Sequence, residues 1–259
     1  MKIIWYGTAS LEIISGEDHI LIDPYLPLKG AQNPGYLPDY LDLDTILITH
    51  GHMDHLSTVP KIMSLNPNAS VFCTQSPAAT LEKKGVDPDR IGIIAPGHTL
   101  TFGGIRVTPL KGRHSVPDKS LKKETLINPR ILQYAYNLPK LALQTLFYKE
   151  EGETLCYLIE TEQKKILLMG SLSMDPETEY PLYPDLMILP YQGISNPEMQ
   201  AIAMIEAIHP RNLMLIHFDD AFPPISKTIS TKPLYRLLTA SYPDLPVVKP
   251  TAGKAVTLI

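Results

Sequence analysis

The chain has 259 residues, of which 44% are hydrophobic, so it can bury a sizeable core as one large domain or two small ones. A formal net charge of −4 gives no overall pull toward nucleic acid or a membrane surface, and no run of roughly eighteen apolar residues exists to cross a bilayer. The amino terminus carries one Lys and then reads as a strand, so no leader is expected. Cys73 and Cys156 sit in apolar strand-like runs, as buried free thiols suited to a reducing cytoplasm.

Short strands are expected through the first 50 residues. The β-branched run Asp44–Ile48 ends in Thr49-His50-Gly51-His52-Met53-Asp54-His55. Three histidines and a carboxylate thus follow a strand end, where Gly51 is read as permitting a sharp turn that lets side chains converge. Imidazole with carboxylate suits Zn, and also Fe or Mn. A helix is expected from Thr58 to Leu65, then a strand, helix and hairpin series to His114. Residues 154–170 form a second hairpin with its turn at Thr161–Lys164, ending in Gly170 and Ser171. Asp175, followed by Pro176 and Glu177, reads as a helix N-cap. Asn196 and Pro197 open a helix running to Ile208, and Leu213–Ile216 is a strand ending at His217. A last helix at 231–241 and closing strands at 246–259 complete the chain. His19 and His209 read as structural, and His98 is given no role. The 25 prolines, about twice the usual share, punctuate element ends instead of forming a linker.

Residues 111–150 stand apart, with eight Lys or Arg against three acids, Asp118, Glu124 and Glu150. Two short apolar helices broken at Pro139 are expected there. One reading is a solvated helical excursion. The other is a lid at about 115–150, with Lys122 and Lys123 attracting an anionic substrate and Tyr134 or Tyr136 lining the pocket. Tyr6, Tyr25 and Tyr191, near motif ends, are read as equally suited to core and to substrate contact.

The heptapeptide is the His-x-His-x-Asp-His signature of the metallo-β-lactamase fold superfamily, which the chain resembles along nearly its whole length. Trp5–Ser10 with Ile20–Pro24, the hairpin at Gly97–Ile105, Lys111–Ser115, Asp185–Pro190 and Leu213–His217 follow in the superfamily's order. The nearest look is to the branch of L-ascorbate phosphate lactonase and related phosphodiesterases. The resemblance implies an α/β fold, a four-layer αββα sandwich of two mixed sheets in a single domain over residues 1–259. It further implies one metal on His50, His52 and His114, and a second on Asp54, His55 and His217, with Asp23 orienting a ligand histidine. Where the superfamily usually places a bridging Asp, this chain has Ser171. That departure leaves one metal, two metals without a carboxylate bridge, or compensation from Asp175, Asp219 or Asp220.

The activity so implied is hydrolysis of an ester, lactone or phosphodiester in an anionic small molecule, with metal-activated hydroxide as nucleophile and Asp54 orienting it. Zn is the expected metal, as one or two ions, with Mn or Fe as alternatives. Neither a Gly-x-Ser-x-Gly elbow nor a nucleotide-binding glycine motif is present. The competing expectation is a degenerate protein that binds a metal or ligand without turnover. A redox role with iron is a further option, disfavoured because it wants more carboxylates. No nucleic-acid partner is expected, and a homo-oligomer is compatible with the sequence.

Overall fold

A computed structural model describes residues 1–33 and 35–258, with Leu126 described by its backbone alone. The first 22 residues lay down β1 (Lys2–Gly7), β2 (Ser10–Ser15) and β3 (Asp18–Ile22) as an antiparallel meander. From there the chain turns parallel through β4 (Thr45–Leu47), β5 (Ser70–Cys73) and β6 (Ile91–Ile93). The second sheet repeats this plan. β7 (Leu100–Phe102), β8 (Ile105–Lys111), β9 (Leu155–Glu160) and β10 (Lys165–Leu168) run antiparallel. β11 (Leu186–Pro190), β12 (Leu213–Ile216) and β13 (Val247–Val248) then add in parallel. β14 (Ala255–Thr257) returns to pair with β1, so the described residues form two mixed sheets of seven strands each.

Alternation along the strands assigns each face. Ile20, Ile22 and Leu47 enter the large cluster between the sheets, while Leu21, Ile46 and Ile48 point to the opposite side. There they meet Ile62 of α2 (Val59–Leu65) and Leu81 of α3 (Gln75–Lys83), with the single turn α1 (Met53–Leu56) beside them. On the second sheet Ala201, Met204, Ile205 and Ile208, spaced for one helical face, bury α7 (Pro197–Ile208), and Leu234 and Leu238 bury α8 (Lys232–Ser241). The result is the expected sandwich of two sheets between helices. No helix among the described residues is long and apolar enough to cross a membrane. Both cysteines are buried and free.

Several expectations are corrected. Asn196 stands before α7 but its side chain makes no cap hydrogen bond; Pro197, preset for a first helical turn, opens the helix without it. Asp175 precedes a turn, not a helix, and accepts from the Glu177 amide at 3.0 Å. Pro139 does not break a helix: it lies in the first turn of α6 (Leu138–Phe147), where a missing amide hydrogen costs nothing. Ahead of it lie α4 (Lys119–Leu126), unforeseen from its polar sequence, and the single turn α5 (Arg130–Gln133). Gly51 does not have a positive φ; a Cβ there would overlap the Lys149 carbonyl oxygen, so close approach is what requires glycine.

Candidate metal centre

Strand ends bring the histidines together. β4 delivers the loop at Thr49–His52 and α1 carries Asp54 and His55. His114 follows β8, and His217 follows β12. His50, His52 and His114 form one group, and Asp54, His55 and His217 another; within each, the ligand-competent atoms lie within 4.8 Å of one another. The rings of His50 and His55, 3.9 Å apart between centroids, join the two groups.

Hydrogen bonds to groups that can only accept fix which ring nitrogen is bare. His55 Nδ1 donates to Asp23 Oδ2 at 2.7 Å, His114 Nδ1 to the Ser115 carbonyl at 2.7 Å, and His217 Nδ1 to Gln192 Oε1 at 2.8 Å. Thr49 donates its hydroxyl to Asp23 at 2.6 Å, so its oxygen accepts from His50 Nδ1 at 3.0 Å. Four imidazoles thereby turn Nε2 lone pairs inward. Asp54 Oδ2 lies 3.0 Å from His217 Nε2 and 3.7 Å from His55 Nε2, and His52 Nδ1 lies 3.2 Å from His50 Nε2. Asp23 and His217 hold positive φ angles of 47° and 57°, a strained backbone kept at the site by its surroundings.

The electrostatics agree with a cation-binding role. Burial and the neighbouring histidines hold His50 well below the ordinary imidazole range, and burial pushes His114 down to about 4, so both remain neutral donors. Burial likewise lowers His52. Burial would raise the Asp54 carboxyl and lower His55, but the attraction between them, with His217 beside Asp54 and Asp23 beside His55, outweighs it. Asp54 is held ionised and His55 is raised, so a cation binding there takes the place of a proton on His55. A buried carboxylate among inward-facing lone pairs fits a divalent ion of the borderline class.

Ser171 stands at the site, beyond the end of β10, but its oxygen is engaged: it accepts from the Ser115 amide at 3.0 Å and donates to Ser115 Oγ at 3.2 Å. It ties down the loop that carries His114. Asp175 does not reach back to the site; Lys111 holds it from outside at 3.1 Å. Asp219 accepts from the Thr8 amide and from Asn33, and Asp220 pairs with Arg130, so neither substitutes for a bridge.

Over the centre opens a cavity of about 1130 Å³, walled by α4 and the turn after it, by the 190–194 loop and by residues 222–229. Lys122 and Lys123 line it, but Tyr134, expected there, does not: its ring lies beneath the Arg130 guanidinium, 5.0 Å away, against Gly30. Tyr136 is also outside, half exposed at the surface. Tyr6 is bound to Glu12, and Tyr25 and Tyr191 are core residues. Sequence reasoning missed Gln192, whose signal was its place two residues past β11, and gave Thr49 no role although it lies inside the motif.

Residues 18–218 match the family model described as the beta-lactamase superfamily domain. A UPF0173 metal-dependent hydrolase of Cupriavidus taiwanensis is 32% identical over 232 residues, covering 84% of this chain and 74% of that protein. Another, from Thermoplasma acidophilum, is 38% identical over 117 residues, or 44% of this chain, a match spanning about half (48%) of that relative's length. Among solved structures, Igni18, a metallo hydrolase from Ignicoccus hospitalis, superposes with a TM-score of 0.63 at 18% identity, covering 98% of this chain and 97% of its own. With the fold and the convergent histidines, these matches establish that the chain belongs to the beta-lactamase superfamily, among its UPF0173 metal-dependent hydrolases.

Proposed function

We propose that the chain hydrolyses an ester, lactone or phosphodiester bond of an anionic small molecule. His50, His52 and His114 would hold one zinc ion, and Asp54, His55 and His217 a second. The observation that carries this reading is the pair of three-residue groups with bare donor atoms turned inward. Bound zinc supplies Lewis acidity, acidifying water and polarising the carbonyl or phosphoryl oxygen under attack. The chain's own residues do the positioning. Asp54, ionised and beside His217, is placed to hold the attacking oxygen in line by accepting its hydrogen bond. Asp23 and Gln192 keep His55 and His217 from rotating. The arm over residues 115–150 serves as a wall that limits water, and Lys122 and Lys123 on it favour an anion. Ligands drawn from both sheets support one domain, and two buried free thiols support a reducing cytoplasm.

A second reading, a binder without turnover, is favoured by one observation: among the described residues no carboxylate bridges the two groups, since Ser171 is committed to Ser115. Elemental mass spectrometry on protein purified without chelator, beside a panel of p-nitrophenyl ester, lactone and bis(p-nitrophenyl) phosphate, separates them. The hydrolase reading expects two metals per chain, activity on one panel member, and loss of about three orders of magnitude in His52→Ala. Metal retention with no activity on any panel member would leave the binder, and one metal rising to two in Ser171→Asp would mark the second group as incomplete.

A further inference from the structure

The cavity over the centre, about 1130 Å³, lies just above the range for small-molecule sites, about 300–1,000 Å³. Away from the metal-facing donors most of the surface its walls present is apolar, with Leu121 and Ile127 from the arm, Ile194 from the loop after β11, and Phe222, Ile225 and Ile229 from the segment after His217. Ile127 and Ile225 are 69% and 43% exposed. Apolar side chains gathered around one concave space lose free energy to water unless something apolar covers them. The charged residues on the same walls are mostly committed: Lys227 pairs with Glu124, and Arg130 with Asp220. Lys122 and Lys123 line the cavity, are exposed, and make no ion pair among the described residues.

One chamber therefore joins three chemistries: a donor cluster on its floor, an apolar wall, and two uncommitted ammonium groups. We propose that the substrate is a single-chain amphiphile, with its apolar chain against Leu121, Ile127, Ile194, Phe222, Ile225 and Ile229. Its anionic group lies within reach of Lys122 and Lys123. A small polar anion would meet the lysines and leave the wall wet; a neutral hydrocarbon would cover the wall and leave the lysines without a partner. The proposal rests on the hydrolase reading only in placing the scissile bond at the histidines.

The test is calorimetric titration of butanoate, octanoate and dodecanoate, below their micelle concentrations, into the zinc-loaded protein and into the chelated protein. Affinity should climb along the series in both, by up to about fourfold for each methylene buried. Ile127→Glu places a carboxylate on the wall at a solvent-exposed position, where folding is not at stake. It should weaken dodecanoate by about tenfold or more and butanoate by less than about twofold. A series flat with chain length, or a dodecanoate affinity indifferent to Ile127→Glu, overturns the proposal. Alkanoate binding involves no turnover, so a silent hydrolysis panel with a steep chain-length series would sink the hydrolase reading and leave the amphiphile site standing.

Discussion

Asp23 reacts with nothing, yet it decides which nitrogen two histidines present. Its carboxylate accepts from the Thr49 amide at 2.8 Å, from the Thr49 hydroxyl and from His55 Nδ1, and through Thr49 it also sets His50. Asp23→Asn keeps the shape and, with its nitrogen in the place of Oδ2, reverses the polarity of two of these contacts, those with the Thr49 hydroxyl and His55 Nδ1. An amide N–H facing His55 Nδ1 forces the proton onto Nε2, where it points at Asp54 instead of a metal. The expected outcome is a drop of about 10–100-fold in affinity at the Asp54–His55–His217 group, read by titration against a chromophoric chelator, with the fold intact by circular dichroism. The convergence of these six residues was legible in the sequence because metal ligation admits few residue types and the motif compresses four of them into one turn. Gln192 and Thr49 were not, since accepting or relaying one proton is work that many polar residues can do. Tyr134 was misplaced because an aromatic beside a basic segment carries no information about which way its ring will face.

Elements with a strong hydrophobic rhythm were legible: β9 and β10 with their turn, α7, and the buried run ending at His217 all stand close to where the pattern puts them. The arm was not, because α4 holds three lysines and a glutamate in eight residues and owes its position to anchors instead of to a buried stripe. One anchor is Asp118, which caps α4 through the Ser120 and Leu121 amides and also accepts from the Ser195 amide at 2.7 Å. The Leu121 and Ser195 amides, with that of Ser120, hold its carboxyl down to about 2, against about 3.9 in an unfolded chain. With the folded value depressed, the anchor is fully present above about 3.9 and is lost as the pH falls through about 2. Asp118→Ala should abolish it at neutral pH, speeding tryptic cleavage at Lys119, Lys122 and Lys123 by about tenfold. Unchanged cleavage would mean that the arm's other anchors, among them Arg130 on Asp220 and the Asn128 and Asn137 amides on the Pro224 and Pro223 carbonyls, secure it without Asp118.

Across the whole molecule, the two sheets share one plan, antiparallel strands followed by parallel ones, and their ends meet at the histidines. Asp54 and His55 come from the first half and His114 and His217 from the second, so a bound ion ties both halves in the folded state and neither in the unfolded one. Metal at about a hundredfold over its Kd should add about 2.7 kcal/mol of stability, or about 5–10 °C in Tm. Chelation should remove that increment, and differential scanning calorimetry at several zinc concentrations would measure it. A Tm indifferent to zinc would mean that the groups bind no ion. The close fit of the Lys149 carbonyl over Gly51 adds a further consequence. Lys149 follows the last helix of the arm, and Gly51 separates His50 from His52. A ligand that moved the arm at Lys149 would therefore press on the turn between His50 and His52, and the coupling would be read as a zinc affinity that changes when an amphiphile is bound. By linkage the effect must be mutual, with zinc changing the affinity for an amphiphile by the same factor as the amphiphile changes the affinity for zinc.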